Sequence, residues 1–170
     1  MIVHTTVESP LGDLLLVGEE SAAARGGVAL ASVSMTGQRN AAVVRPEWRR
    51  APEAFTRVAE QLEAYFDGAL TEFDLDHAVR GTEFQQRVWE ALEGIRYGTT
   101  TSYGRLGEQL DLERAEVRAL GAAIGANPLL VVRPCHRVIG ADGTMKGYAG
   151  GVERKEFLLI HEGALQPQLL

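Results

Sequence analysis

The sequence predicts an α+β protein in two parts: an N-terminal antiparallel sheet with one helix over residues 1–79, and a mostly helical part over residues 80–170. Three observations predict it. Short apolar runs separated by glycine and proline turns fill the first third, an apolar series at helical spacing follows, and helix signals dominate from Gly81 onward.

Ile2–Val7 reads as the first strand, Ser9-Pro10-Leu11-Gly12 as a turn, Leu14–Val17 as the second strand, and Val28–Met35, after Gly26-Gly27, as the third. Thr36–Pro52 is polar, carries arginines and is broken by two prolines, which predicts a loop. Phe55, Val58, Leu62 and Tyr65 recur three or four residues apart, so they predict an amphipathic helix that covers the sheet. Asp67–Arg80 reads as a connection that holds the domain boundary.

In the second part, Thr82 followed three residues later by Gln85 is a capping box, and Phe84, Val88 and Leu92 form the expected buried stripe of the helix it opens. Ser102 can cap a second helix, with Tyr103, Leu106 and Leu110 on one face. A third helix is expected from about Glu113 to Ala126, joined to the second by a short turn. Such a pair has helix-turn-helix spacing, which also occurs in proteins that never touch DNA. At about 100° per residue, Val117, Leu120 and Ile124 share one side of the third helix, while Arg114, Ala115, Arg118, Ala119, Gly121, Ala122 and Gly125 cover the other. A smooth surface with two arginines can enter a narrow nucleic-acid groove closely, and small residues also suit tight packing against another helix.

With 170 residues, 45% of them hydrophobic and 24% charged, the chain has apolar surface for one ordinary core or two small ones. No stretch approaches the roughly 18–20 apolar residues of a membrane span, and no basic segment followed by an apolar run opens the sequence. These features predict a cytoplasmic protein with no membrane partner. One cysteine excludes an internal disulfide, and histidines scattered at positions 4, 77, 136 and 161 lack zinc-site spacing, so no metal is expected. The net charge of −6 is uneven: residues 1–80 hold 7 basic against 12 acidic side chains, residues 81–170 hold 10 against 11. Arg114–Arg137 contains four arginines and one glutamate, enough for a small basic face that binds DNA or merely meets solvent.

Asn127-Pro128 ends the third helix, because proline disfavours helical geometry in the residue before it. The apolar run Leu129–Val132 leads into Arg133-Pro134-Cys135-His136-Arg137-Val138, and the chain then turns at Asp142-Gly143 in the manner of a type I′ hairpin. A lone cysteine is either an inert buried side chain or a reactive one. Two arginines and a histidine within two residues of this sulfur favour the thiolate, which is the nucleophilic form. Neighbouring side chains point in different directions, so a water bridging Cys135 and His136 would let the imidazole take the thiol proton, provided a carboxylate holds its other nitrogen. Glu162, near the end of the helix carrying Phe157, Leu158 and Leu159, is the candidate, with a solvated helix end as the alternative.

Pro134-Cys135-His136-Arg137-Val138 resembles the active-site signature of the O6-alkylguanine-DNA alkyltransferases. Arg80-Gly81-Thr82-Glu83-Phe84-Gln85-Gln86-Arg87-Val88-Trp89, the stretch Ile95 through Tyr103, Gly147-Tyr148-Ala149-Gly150-Gly151 and His161-Glu162-Gly163 are similar to that family's other blocks, in order and at the expected distances. Residues 80–163 are covered well and residues 1–79 loosely.

The resemblance implies a ribonuclease H-like N-terminal domain over 1–79 and a winged helix-turn-helix-like domain over 80–170 that enters the minor groove. It implies stoichiometric, irreversible transfer of a methyl or other alkyl group to Cys135 from O6-alkylguanine, and from O4-alkylthymine, after the base is flipped out. Cys135, His136, Glu162, Tyr103 and Asn127 are the implied catalytic set. Arg118 matches the arginine finger that fills the gap in the base stack, Tyr103 the tyrosine that helps rotate the nucleotide and offers its hydroxyl to guanine N3, and Asn127 the asparagine that orders the reactive turn. Arg118, Arg114, Ala119, Ala122 and Tyr103 would contact DNA, and Val138, Tyr148 and Ala149 would line the base pocket. The partner is duplex DNA carrying O6-alkylguanine, bound by a monomer, with cooperative binding left open; no cofactor and no metal are implied. Position 149 is often serine in the family, and Arg133 stands where an apolar residue is common, so it either depresses the thiol pKa or faces a phosphate. A thiol hydrolase, a pure DNA-binding regulator and an alkyltransferase-like damage sensor are the competing readings.

Overall fold

The computed structural model describes residues 1–145 and 147–167, so residues 146 and 168–170 of the expected second domain lie outside the described residues. The chain divides into two compact units, Met1–Val79 and Arg80–Leu170.

In the first unit, β1 (Ile2–Val7), β2 (Leu14–Glu20) and β3 (Val28–Met35) form an antiparallel meander. The pairing Val3↔Gly18 and Thr5↔Leu16 fixes which residues face inward: Val3, Thr5, Leu14 and Leu16 are buried, and alternate β1 residues are not. A one-residue slip would turn that whole set to solvent. The β2–β3 register shifts between Val17 and Gly18, where a β-carbon on Gly18 would lie 2.6 Å from Val28 Cγ2 and 2.9 Å from the Ala29 carbonyl oxygen. Only glycine fits that approach.

The segment 36–52, expected as loop, contains β4 (Arg49–Arg50), which pairs in parallel with β1 and gives the sheet order β3-β2-β1-β4. The sheet is therefore mixed at one edge. The connection 67–80 likewise supplies a backbone partner at the opposite edge: Leu30 N donates to Asp76 O at 2.8 Å and Ala78 N to Leu30 O at 2.9 Å. Between them, Pro52–Phe55 winds as a 3₁₀ turn into α1 (Thr56–Phe66), which buries Val58, Leu62 and Tyr65 as the spacing predicts.

The second unit opens with α2 (Glu83–Glu93). Its capping box is formed as expected: Thr82 Oγ1 accepts from Gln85 N at 3.1 Å and Gln85 Oε1 from Thr82 N at 3.0 Å. The buried side chains are Val88, Trp89 and Leu92, with Phe84 only half-buried, because Trp89 rather than Phe84 meets the interior. Its indole N–H donates to the Ala123 carbonyl at 2.9 Å. A two-residue strand, β5 (Thr101–Ser102), precedes α3 (Tyr103–Gln109), which Ser102 Oγ caps by accepting from Arg105 N.

The turn to the next helix has Asp111 in the left-handed region (φ 55°), with Leu112 N donating to Gly107 O and Asp111 N to Glu108 O. That is a Schellman closure with aspartate in the place glycine usually takes. Glu113 N donates to Glu116 Oε1, Arg114–Glu116 is a single 3₁₀ turn, and α4 follows as Val117–Gly125, shorter than the helix expected from Glu113. Leu120, Ala123 and Ile124 are buried, whereas Val117, expected with them, is 41% exposed as the first residue of α4.

Downstream, β6 (Val138–Ile139) pairs in parallel with β5, and α5 (Val152–His161) closes the described fold. The turn between them is not type I′. Gly143 N donates to Gly140 O, so Ala141 and Asp142 make the turn with ordinary φ, and Gly143 follows in the left-handed region (φ 83°). Among the described residues no helix is long and apolar enough to cross a membrane.

Replacing Gly18 by alanine should destabilise the first unit by about 1–3 kcal/mol, the usual cost of forcing an extra carbon into a closed site. Urea unfolding that shows no loss in Gly18→Ala would contradict the crowding at this irregularity.

Candidate active site

The second unit folds its apolar run 129–132 into a tight, buried turn, and Asn127 is what holds it. This side chain is 1% exposed. Its Oδ1 accepts from Leu129 N at 3.0 Å, and its Nδ2 donates to Arg133 O at 3.0 Å and to Leu129 O at 3.4 Å. Within the turn Arg133 N donates to Leu129 O and Val132 N to Leu130 O, and Val131 is forced to φ 71°. A β-branched residue in that region is strained, typically by about 1–3 kcal/mol, and persists only where surrounding contacts over-determine it. The turn delivers Cys135 at the start of a 3₁₀ turn, Cys135–Arg137, immediately before β6.

Because β6 lies beside β5, and Tyr103 directly follows β5, the pairing Thr101↔Val138 and Ser102↔Ile139 brings the start of α3 next to the reactive turn. The contact registers electrostatically. Burial raises the Tyr103 hydroxyl pKa, and negative charge at Cys135 raises it further.

Next in the chain, His136 is fully buried and its Nε2 lies 2.8 Å from Glu162 Oε2. Glu162 caps α5 and is 5% exposed, so it is no solvated helix end. With the carboxylate accepting from Nε2–H, the lone pair falls on Nδ1, and Nδ1 is a buried atom with no hydrogen-bond partner in the protein. The same carboxylate takes Arg137 Nε–H at 2.7 Å and Nη2–H at 3.0 Å. Arg137 Nη1 donates to the Ile95 carbonyl, and its guanidinium stands 5.7 Å from the centre of the Tyr97 ring.

Of the two arginines beside the sulfur, Arg133 favours the thiolate as the sequence suggests and Arg137 is turned to another partner. Arg133 is 5% exposed, so it faces no phosphate; its Nε lies 3.4 Å from Glu93 Oε1 and its guanidinium 5.1 Å from the Trp89 ring centre. Arg137 is committed to Glu162. Burial dominates at the sulfur and pushes the Cys135 thiol up to about 11, opposed by hydrogen bonding from Asn127 and by the charges of Lys155 and Arg133. His136 is held below its usual value by the same burial, against the pull of Glu162. The resting pair is thus a neutral thiol and a neutral imidazole.

Lys155 is the polar residue that sequence reasoning missed. It is 1% exposed, and burial brings its ammonium down to about 8 while negative charge at Cys135 opposes that fall. A signal was present: Lys155, Leu158, Leu159 and Glu162 occupy i, i+3, i+4 and i+7, the buried stripe of α5.

The remaining candidates divide cleanly. Val138 is fully buried directly after the reactive turn, and Ala149 is 7% exposed. Tyr148 has a buried hydroxyl; burial raises its pKa well above normal, with the charges of Cys135 and Glu162 adding to the rise and the Val131 backbone opposing it. Arg114, Arg118, Ala119 and Ala122 are all exposed, on the side of the 114–125 segment opposite Leu120 and Ile124. Among the described residues no group of three or more His, Cys, Asp and Glu side chains could hold a metal ion.

Residues 83–164 match the family model of the 6-O-methylguanine DNA methyltransferase DNA-binding domain, and residues 2–77 match that of its ribonuclease-like domain. The chain belongs to the 6-O-methylguanine DNA methyltransferase family. It is 46% identical over 170 residues to a methylated-DNA–protein-cysteine methyltransferase of Mycolicibacterium paratuberculosis, covering 100% of this chain and 98% of that one. A methyltransferase of the same description from Methanosarcina acetivorans is 43% identical over 161 residues, covering 95% and 98%. The crystal structure of Mycobacterium tuberculosis OGT in complex with DNA superposes with a TM-score of 0.84 at 44% identity, covering 95% of this chain and 93% of that one. The α+β arrangement of a sheet unit followed by a helical unit is that of this methyltransferase family.

The thiol gives a pH signature with a defined sign. Its folded pKa, about 11, exceeds the ordinary 9.0, so the native state keeps a proton that the unfolded chain loses as pH rises from 9. Stability from this group is whole below pH 9 and is lost toward 11, by about 2 kcal/mol. Chemical unfolding of the native protein and Cys135→Ala across that range should show the native advantage shrinking; a constant difference would contradict the burial effect.

Proposed function

We propose that this methyltransferase repairs DNA directly, moving a methyl or other alkyl group from O6 of guanine, and from O4 of thymine, onto the sulfur of Cys135. The observation that carries this reading is the buried Nδ1 of His136, a base with no protein partner, on the residue next to the chain's single cysteine and backed by Glu162. The names of the related methyltransferases and the DNA complex of the Mycobacterium tuberculosis protein support it.

In this reading a bridging water passes the thiol proton to Nδ1, Nε2–H remains on Glu162, and the imidazolium and thiolate form together. The sulfur then attacks the alkyl carbon in line with its bond to O6. The C–S bond forms, the C–O bond breaks, and its electron pair moves into the purine. The Tyr103 hydroxyl, with its pKa raised, stays protonated and hydrogen-bonds to N3, easing departure of the base; the proton taken from sulfur balances the one the restored guanine gains. A thioether has no facile leaving group, so each chain acts once and needs no cofactor.

A base inside a duplex cannot reach a buried sulfur, so the nucleotide must be flipped out, at a cost of a few kcal/mol. The exposed surface of Arg114, Arg118, Ala119 and Ala122 enters the minor groove of duplex DNA, and Arg118 fills the gap left in the stack. Backbone groups of Val138 and Ala149 hold the extruded base against Tyr148. The protein acts as a monomer in the cytoplasm, where a reducing environment preserves the single free thiol.

After incubation with DNA containing O6-methylguanine, mass spectrometry should find one added methyl on the peptide bearing Cys135 and none in Cys135→Ser. Unmodified native protein, or many products per chain, would overturn the assignment, the latter in favour of a hydrolase. Arg118→Ala should slow repair of duplex DNA at least tenfold more than reaction with free O6-benzylguanine, a factor of about 1.4 kcal/mol; equal loss on both would remove its role in the stack.

A further inference from the structure

Glu162 is engaged from two sides, unequally. Arg137 takes both of its oxygens, Oε1 through Nε at 2.7 Å and Oε2 through Nη2 at 3.0 Å, while His136 reaches Oε2 alone and must share it. The three side chains are 8% exposed or less, so water screens little of this charge. Arg137 and Glu162 cancel. A proton on His136 would therefore give the trio a net positive charge, which a thiolate at Cys135 would balance.

We propose that Arg137 is a positioning residue that, by occupying the carboxylate of Glu162, restrains His136 from holding a proton and so keeps Cys135 a resting thiol until substrate is in place. This rests on the reading that His136 serves as the base for Cys135. The groups that face the imidazole are few. Cys135 and Arg137 flank it on its own turn, and Lys155 and Glu162 come from α5; the Tyr148 hydroxyl lies within reach of the Cys135 and Glu162 charges, and Arg133 acts on the sulfur from upstream. Among those acting on His136, Glu162 favours the protonated ring, whereas burial, Arg137 and Lys155 oppose it. Of the charges on its own turn, Arg137 is thus the one that blunts the carboxylate.

The arrangement suits a protein that is spent by a single reaction. A thiolate standing ready would be consumed by any passing electrophile; a thiol that ionises only when an extruded base is seated against it reserves its one reaction for DNA.

The lone cysteine makes the test clean, because thiolate absorbance in the ultraviolet reports Cys135 and no other sulfhydryl. Arg137→Met should lower the thiolate midpoint by about one pH unit and speed iodoacetamide labelling at neutral pH about threefold, since the gain in thiolate fraction is partly offset by lower nucleophilicity. Arg137→Lys, which keeps the charge, should stay near the native midpoint. A folded Arg137→Met with an unchanged or higher midpoint, or Arg137→Lys falling as far as Arg137→Met, would overturn the assignment. Should Arg137→Met fail to fold, nitrogen NMR of His136 in the native protein decides: a neutral ring protonated on Nε2 at neutral pH supports the proposal, and an imidazolium there overturns it. None of these readings needs DNA, so an unmoved midpoint removes only the role of Arg137, whereas absence of methyl uptake by native Cys135 removes the repair reading itself.

Discussion

A sulfur that must attack carbon has to shed its proton, and this one sits where burial makes that difficult. Desolvation lifts the Cys135 thiol to about 11, and in the proposed mechanism the bond from His136 to Glu162 is the contact that makes ionisation accessible near neutrality. An imidazole alone would gain little, because the same burial lowers its basicity. A carboxylate fixed at 2.8 Å from Nε2 leaves the ring's lone pair on Nδ1 and, in the proposed mechanism, stabilises the cation as it forms. Burial, costly at rest, becomes useful in reaction: fixed charges act more strongly where water is excluded.

The helical unit supplies each part of this site from a different element. Asn127, at the end of α4, ties the strained turn at Val131 and sets where Cys135 emerges. The short parallel pair β5–β6 carries Tyr103 to the reactive turn. The stripe Lys155, Leu158, Leu159, Glu162 anchors α5 by its leucines while placing a cation and an anion inward. Trp89 links α2 to the last turn of α4 through the Ala123 carbonyl, and Arg133 lies against the face of that same indole, so the exposed arginine-bearing helix and the reactive turn share one support. Positions buried in the packing are therefore also those that hold the candidate site.

Much of this was legible in the residues. The capping box at Thr82, the cap at Ser102 and the break at Asn127-Pro128 are local signals, and local hydrogen bonding realises them, whereas the pairing of His136 with Glu162, 26 residues apart, follows from the chemistry that a reactive thiol requires. What escaped reading is non-local. Proximity in sequence placed Arg133 and Arg137 near the sulfur, but their guanidinium groups are claimed by Glu93 and Glu162, forty and twenty-five residues away. The parallel pairing of β4 depends on β1 across the whole meander, which no window of residues reveals. Helical periodicity found the right faces but not the ends: Val117 is too near the start of α4 to be covered, and Trp89, one step from Val88, displaced Phe84 as the buried aromatic.

The role of Glu162 is tested most directly by the pH dependence of single-turnover methyl transfer in the native protein and in Glu162→Gln. If the carboxylate works by helping His136 accept the thiol proton, the substitution slows transfer by about 10²- to 10⁴-fold near neutral pH, the range expected for loss of a general base. The deficit should then narrow steadily as alkali ionises Cys135 without help. A deficit of the same size at every pH, or no deficit at all, would contradict the account.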